Sequence, residues 1–142
     1  LGDVYKRQHN PAGFRAMKDF VDQIDASKKV GIVAGVGDRR KEDNNELGAI
    51  AAEMFDEIII RQDRNLRGKN EADLINEIHS GIKSVHPEKK VDIIRSEKDA
   101  IIHAINNAEK DSLVIVSSDV VPDALNLVMK LREKERATAV SV

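Results

Sequence analysis

Short apolar runs alternate along the chain with longer segments in which apolar residues recur at helical spacing. Three of the four runs hold three or four consecutive β-branched or apolar residues, which is typical of strands covered on both faces. The pattern therefore predicts a mostly parallel sheet between two layers of helices. The four predicted strands are Lys29–Ala34, Glu57–Arg61, Val91–Arg95 and Leu113–Ser117.

Five helices are predicted from caps and apolar stripes, since Asn and Ser favour the N-cap and Pro favours the first turn. One helix precedes four strand–helix units, so right-handed crossovers would give a three-layer, Rossmann-like α/β domain over residues 9–136. The helices are expected to begin near Asn10, Glu42, Asn70, Ser96 and Pro122. The first is expected to bury Phe14, Met17, Val21 and Ile24, and the last Ala124, Leu127, Val128 and Leu131.

Both ends of the chain depart from this pattern. Leu1–Gln8 shows neither strand alternation nor helical periodicity, and Ala137–Val142 follows a charged helix end with small and β-branched residues. We therefore expect a non-native or disordered leader over residues 1–8 and a tail over residues 137–142.

The composition narrows the functional classes. The 142 residues are 41% hydrophobic and 34% charged, which fits one folded domain. The formal net charge is −2, so the basic excess typical of nucleic-acid binding is missing and no nucleic-acid partner is expected. The chain lacks cysteine and any apolar run near the roughly 20 residues of a membrane span. We expect a cytoplasmic protein with no membrane partner, disulfide or thiol nucleophile.

Two loops are the first candidates for a site, because ligands of open α/β sheets bind at the carboxyl ends of the strands. The loops that follow the first and second predicted strands are Gly35–Asp43 and Gln62–Lys69, and both are charged and contain glycine. The simpler interpretation of the first is a solvated helix start, since Glu42 and Asp43 suit a helix N-terminus.

Neither loop holds a complete nucleotide-binding motif. Arg40 stands where the dinucleotide fingerprint G-x-G-x-x-G needs its third glycine. A Walker A loop needs Ser or Thr after Gly-Lys, but Asn70 follows Gly68-Lys69, and Asp63 occupies the position of the first glycine. The sequence therefore predicts no phosphate-binding loop in this chain.

Arg67 is the sharper candidate within the second loop. A planar guanidinium binds a carboxylate through two parallel hydrogen bonds, and the neighbouring Gly68 permits a close approach. An ordinary surface arginine is the simpler alternative at this point.

Three of the four histidines, His79, His86 and His103, have no partner at metal-ligand spacing, so we predict no metal site. His9 differs because it precedes the N-terminus of the first helix. Together with the capping residue Asn10, it is a candidate to meet an anionic or nucleotide ligand. Ser117-Ser118-Asp119 has no histidine at a suggestive spacing, so a hydrolase triad is not predicted.

Three motifs, taken together, resemble the C-terminal domain of the Mur ligase superfamily. His9-Asn10-Pro11 resembles the end of its D-Y-A-H-N-P motif, although Lys6, Arg7 and Gln8 replace the first three residues. The stretch from Gly37 to Asp43 resembles the G-D-R-R-x-E-D of the cyanophycin synthetase branch, and residues 55–68 resemble its F-D-E-I-I-I-R-x-D-x-x-L-R-G. The resemblance extends from His9 to about Glu135.

This resemblance implies a three-domain ligase whose central domain binds ATP and Mg²⁺ and activates a carboxylate as an acyl phosphate. The C-terminal domain would close over the nucleotide and position the incoming amino acid, with the central and N-terminal domains as its partners. His9 and Asn10 would lie towards ATP, and Asp38, Arg39, Asp63 and Arg67 towards the amino acid, with Arg67 as carboxylate clamp. No catalytic residue and no bound cofactor would then belong to this chain alone, which would be inactive by itself.

A binding module without catalysis, such as a receiver-like or flavodoxin-like domain, is the alternative, because fold alone does not determine function. A receiver would place an acidic pair after its first strand, whereas Arg39 and Arg40 make that loop basic.

Overall fold

The computed structural model describes residues 10–64, 66–118 and 121–140, and in the last helix the side chains of residues 122–133. Helices and strands alternate as the sequence predicts. In chain order they are α1 (Pro11–Asp22), β1 (Lys29–Val33), α2 (Lys41–Met54), β2 (Glu57–Ile60), α3 (Glu71–Val85), β3 (Lys90–Ile93), α4 (Glu97–Asn106), β4 (Leu113–Val116) and α5 (Val121–Val140).

The four strands form one parallel sheet in the order β3-β2-β1-β4. The chain first moves outwards from β1 through β2 to β3 and then returns to the other side of β1. This reversal creates a topological switch point between the carboxyl ends of β1 and β4, where open α/β sheets commonly bind ligands. The central strands β1 and β2 are mostly buried, whereas the edge strands β3 and β4 are more exposed.

Two hydrophobic cores cover the two faces of the sheet, which confirms the predicted three-layer architecture. Successive side chains of β2 lie on opposite faces of the sheet. Ile58 and Ile60 pack with α1, α2 and α3, while Ile59 packs with α4 and α5. The first core also contains Phe14, Val21, Leu47, Ile50, Ile75, Ile78 and Ile82, and the second contains Val30, Ile32, Ala100, Ile101, Ala104 and Ala124.

Helices α2 and α3 pack closely because glycines face the partner backbone. A Cβ on Gly48 would lie 2.2 Å from the Ile78 carbonyl oxygen, and one on Gly81 would lie 1.9 Å from the Asn45 carbonyl oxygen. Both distances are far below van der Waals contact, so only glycine fits. Since α2 and α3 each begin at the carboxyl edge of the sheet, this packing also fixes the two loops that precede them.

The predicted helix starts agree with the caps in the structure. The Asn10 side chain accepts a hydrogen bond from the Gly13 N–H at 2.8 Å, Asn70 from Ala72 at 2.8 Å, and Ser96 from Asp99 at 3.3 Å. None of the described helices combines the length and the apolar character that a membrane crossing needs.

Two predicted core positions are wrong, and the last helix is longer than expected. Helix α1 ends at Asp22, so Ile24 lies beyond it and is only half-buried. Val128 is 38% exposed because the inward face of α5 carries Ala124, Leu127 and Leu131 instead. Helix α5 continues to Val140, through residues that the sequence pattern assigned to a tail.

Candidate functional site

The carboxyl edge of the sheet gathers the described candidate residues. Strands β1 and β2 are paired up to Val33 and Ile60, so the β1–α2 and β2–α3 loops leave the sheet side by side. The start of α1 lies at this edge too, because Arg15 forms an ion pair with Glu46 in the first half of α2. At the opposite end of α1, the Val21 carbonyl accepts a hydrogen bond from the Lys29 Nζ at 3.0 Å.

The structure therefore places the start of α1 and both loops at one edge. Asn10 lies at the start of α1, Asp38 and Arg39 lie in the β1–α2 loop, and Asp63 and Arg67 lie in the β2–α3 loop. His9 lies outside the described residues.

The two loops touch through their backbones. A Cβ on Gly37 would lie 2.1 Å from the Leu66 carbonyl oxygen, so a glycine is needed for this approach. Arg67 (φ 47°) and Gly68 (φ 84°) both adopt the left-handed conformation. This reversal is closed by a 2.9 Å hydrogen bond from the Lys69 N–H to the Leu66 carbonyl. The turn directs Arg67 back towards the first loop, where it contacts Asp38.

Arg67 and Asp38 form an ion pair across the two loops, in which Arg67 Nη1 donates to Asp38 Oδ2. Their side chains are about half exposed, at 50% and 46%, so a ligand can reach them. Lys69 Nζ adds a second link by donating to the Arg39 carbonyl at 2.7 Å. Asp63 is half-buried in the same loop as Arg67. The arrangement presents cationic and anionic groups that together suit a zwitterion.

Arg40 faces away from this pair, towards helix α2. Its Nε and Nη2 donate to the two carboxylate oxygens of Asp43 at 3.2 and 3.0 Å. The hydrogen bond from Arg40 is the main reason why the pKa of Asp43 lies below its usual range. Of the two adjacent arginines, Arg40 therefore helps to start α2, while the exposed Arg39 side chain remains the candidate for a ligand.

A buried polar group, which we call the Asn44 network, holds the first loop in place. Fully buried Asn44 accepts from the Val36 N–H at 3.1 Å and donates to the Val36 carbonyl at 3.3 Å. Its Nδ2 also donates to Glu77 Oε2 at 2.7 Å, and Glu77 pairs with Lys69 at 3.3 Å. Sequence reasoning missed Asn44, although its helical spacing to Leu47 and Ala51 places it on the apolar face of α2.

A second buried polar group, the Arg61 network, lies at the switch point. The guanidinium of Arg61 is fully buried and donates to the Ser117 carbonyl from Nε at 3.0 Å and from Nη2 at 2.6 Å. Nη1 donates to the Gln62 carbonyl at 2.9 Å, and Nε lies 3.2 Å from Glu97 Oε2. Ser118 Oγ donates to Glu97 Oε1 at 2.6 Å. The sequence analysis predicted Arg61 only as the end of a strand. Residues 59 and 61 lie on the same face of a strand, so the apolar Ile59 was the signal that Arg61 is directed into the protein.

The three histidines that the structure describes lie away from this edge's loops. His79 lies on α3, His86 caps the end of α3, and His103 lies on α4, 3.8 Å from Asp92. Among the described residues, no group of three His, Asp or Glu side chains is placed to hold a metal ion.

Comparison with known proteins gives a family for this arrangement. The family model described as "Mur ligase, glutamate ligase domain" matches residues 8–120. Cyanophycin synthetase from Synechocystis sp. is 38% identical over 120 residues, which is 84% of this chain. UDP-N-acetylmuramoyl-L-alanyl-D-glutamate–2,6-diaminopimelate ligase from Caldanaerobacter subterraneus is 30% identical over 109 residues, or 77% of the chain.

Solved structures share the fold. The structure of a UDP-N-acetylmuramoyl-L-alanyl-D-glutamate–2,6-diaminopimelate ligase matches 76% of this chain with a TM-score of 0.65 and 16% identity. Folylpolyglutamate synthase from Mycobacterium tuberculosis, solved with ADP and AMPPCP, matches 84% with a TM-score of 0.59 and 23% identity. These likenesses cover 22% and 28% of the two solved chains.

The chain spans only 14% of the cyanophycin synthetase and 22% of the diaminopimelate ligase that it matches. The family match favours the ligase domain over the receiver-like or flavodoxin-like alternative, and the matched residues include the start of α1 and both candidate loops. This chain belongs to the Mur ligase family and carries the C-terminal domain of that family.

Proposed function

We propose that this domain works within an ATP-dependent ligase that joins a carboxylate to an amino acid, and that it positions the incoming amino acid. ATP would supply the phosphoryl group that converts the carboxylate into an acyl phosphate. The amino group, once deprotonated, then attacks the acyl carbon; the C–N bond forms, the bond from this carbon to the phosphate oxygen breaks, and phosphate and a proton leave. The domain's own contribution is orientation and charge stabilisation, since orienting two reactants removes much of the entropic barrier.

The observation that carries the proposal is the contact between the two loops at the carboxyl edge. Arg67 meets Asp38 there, Lys69 holds the Arg39 backbone, and Gly37 allows the loops to approach. A guanidinium suits the carboxylate of an amino acid, and a carboxylate suits its ammonium group. We therefore propose Arg67 as the carboxylate clamp, with Asp38, Arg39 and Asp63 beside the same ligand.

We also propose that the start of α1 lies near ATP. Asn10 caps this helix by accepting from Gly13, so any contact with ATP would add to that structural role. The proposal places His9 beside it. The described residues do not fit a complete site for ATP and Mg²⁺, because the loops lack a phosphate-binding motif and no metal-ligand group is present among them. We propose that the remaining domains of the ligase hold the phosphates, and that this chain alone forms no amide bond.

The Arg67→Lys substitution tests the proposal in the multidomain ligase that it implies. A lysine keeps the charge but loses the two-pronged geometry, which would cost roughly 1.5–3 kcal/mol of binding. The KM for the amino acid should rise by about 10–100-fold, while the KM for ATP stays nearly constant.

Arg64→Lys is the matched control, because Arg64 lies in the same loop and pairs instead with Asp123 at 3.6 Å. It should leave both KM values close to those of the wild type. An unchanged KM for the amino acid in Arg67→Lys would refute the proposed role of Arg67. Amide formation by this chain alone would refute the proposal that the other domains are needed for ligation.

A further inference from the structure

Arg61 connects strands that are not neighbours. Its side chain leaves the end of β2 and binds the Ser117 carbonyl at the end of β4, 56 residues away in the sequence. Strand β1 lies between β2 and β4, so the guanidinium crosses the carboxyl end of β1 at the switch point. The Arg61 side chain therefore links the ends of β2 and β4 across β1.

The same guanidinium also fixes the start of the β2–α3 loop. By donating to the carbonyl of Gln62, it orients the peptide that leads into Asp63. Glu97, in the first turn of α4, forms an ion pair with the guanidinium, with its Oε2 3.2 Å from Nε, and its Oε1 accepts a hydrogen bond from Ser118. The position of the loop that carries Asp63 and Arg67 is thus tied to β4 and α4.

Stability alone explains this network poorly. Burying a charged pair removes its hydration, and replacing such pairs with apolar residues often leaves stability unchanged or higher. The buried arginine also lies only two residues before Asp63, at the edge that carries the candidate site. A planar group with donors in fixed directions can set the distances between three chain segments, which an apolar side chain cannot.

We propose that Arg61 is a positioning residue, which sets the placement of the β2–α3 loop relative to β4 and thereby the geometry of Asp63 and Arg67. This inference rests on the proposed function for its effect on ligation but not for its effect on the loop. Arg61 acts through the loop and touches no substrate itself.

Two variants test the proposal. Arg61→Lys keeps the charge but cannot reach Ser117, Gln62 and Glu97 together. The double variant Arg61→Met with Glu97→Gln removes both charges, which avoids leaving Glu97 buried without its partner. Arg95→Lys is the matched control, because Arg95 lies two residues after β3 at the same edge, but its side chain is 70% exposed and pairs with Glu71 at 2.5 Å.

The first measurement is amide hydrogen exchange on this chain. Each variant is measured at the same number of degrees below its own melting temperature. In both Arg61 variants, exchange at residues 62–64 and 66–69 should accelerate by roughly tenfold, while residues 86–90 at the amino edge change little. A merely structural role would accelerate exchange throughout the sheet. Uniform acceleration, or an unchanged loop, would overturn the proposal.

The second measurement is kinetic and uses the multidomain ligase. Misplacing the loop should lower kcat/KM for the amino acid by about 10–100-fold and leave the KM for ATP nearly unchanged. Full activity of a folded Arg61 variant would overturn the proposal. A wild-type ligase without activity would instead count against the proposed function, and the exchange measurement would still decide whether Arg61 positions the loop.

Discussion

Polar side chains are buried at the carboxyl edge of the sheet, whereas charged side chains at the amino edge remain in water. The buried polar or charged residues among those described are Asn44, Arg61, Ser117 and Ser118, and all lie at the carboxyl edge. Asn44, Arg61 and Ser118 are each bonded through their side chains to backbone or to a carboxylate, because an unpaired buried polar group is costly. At this edge, hydrogen bonds that are shielded from water therefore hold the loops of the candidate site in a defined orientation.

The amino edge carries a partly exposed ion-pair cluster instead. Lys28 Nζ lies 2.9 Å from Glu57 Oε1 and 2.7 Å from Glu109 Oε1, and Lys90 lies 3.2 Å from Glu57 Oε2. A cavity of about 590 Å³ opens beside it, lined by Lys28, Asp56, Glu57, His86, Pro87, Glu88, Lys89 and Lys90. Exposed ion pairs of this kind contribute little stability. Cavity size and charge alone therefore do not distinguish the candidate site from the amino edge, whereas buried polar hydrogen bonds do.

The Asn44→Leu substitution should have the largest effect on stability. Leucine has the same number of side-chain heavy atoms as asparagine but leaves the Val36 N–H and carbonyl, both bonded to Asn44, without those partners. We expect a loss of about 3 kcal/mol in the free energy of unfolding, measured by urea denaturation.

Asn45→Ala is the control for this prediction. Asn45 is the next residue of α2, and its buried side-chain oxygen accepts no hydrogen bond from the described residues. Its replacement should cost far less than that of Asn44. Equal losses for the two variants would contradict the importance that we assign to buried polar bonds at this edge.

Gly37→Ala tests whether the close approach of the two loops matters. The added Cβ would meet the Leu66 carbonyl oxygen at 2.1 Å, so one loop must move. We expect a stability loss of about 1–3 kcal/mol and, in the multidomain ligase, a higher KM for the amino acid.

The control in the same loop is Gly35→Ala, whose Cβ would lie 3.2 Å from the Leu74 carbonyl oxygen and needs a smaller adjustment. Thermal denaturation and kinetics of both variants measure the difference. If Gly37→Ala binds the amino acid as the wild type does, the contact between the loops is not needed for the site.

Glu57→Gln should have the smallest effect, about 0–1 kcal/mol at neutral pH, because its partner lysines, Lys28 and Lys90, are partly or largely exposed. The hydrogen bond from Lys28 is the main cause of the lowered pKa of Glu57. The pKa of glutamate in the unfolded state is about 4.3. Because the folded-state pKa lies below it, ionised Glu57 stabilises the fold above this pH, and the contribution is lost as the pH falls through the folded-state pKa.

The acid limb of the stability curve should therefore be slightly flatter in Glu57→Gln than in the wild type. Chemical denaturation between neutral and acid pH measures this. If Glu57→Gln lowered the free energy of unfolding at neutral pH as much as Asn44→Leu does, the amino edge would contribute as much stability as the carboxyl edge, which contradicts this comparison.

The apolar pattern and the capping residues were enough to predict the helices and strands, the layers and the edge that holds the candidate site. Apolar runs such as Ile58–Ile60 are long enough to be buried on both faces, and caps such as Asn70 and Ser96 act within a few residues. Parallel strands then place all following loops at one edge, so the motifs around Asp38 and Arg67 could be assigned to the same edge without coordinates.

Which side chains meet at that edge could not be predicted from the sequence, because the contacts depend on how distant segments pack. The bond from Arg61 to Ser117 depends on β4 lying beside β1, which no local pattern specifies, and the pairing of Arg67 with Asp38 depends on a left-handed turn at Arg67. The exposure of Val128 likewise depends on how α5 packs on the sheet. Local propensity and periodicity act over a few residues, whereas these contacts join segments that only the order of strands brings together.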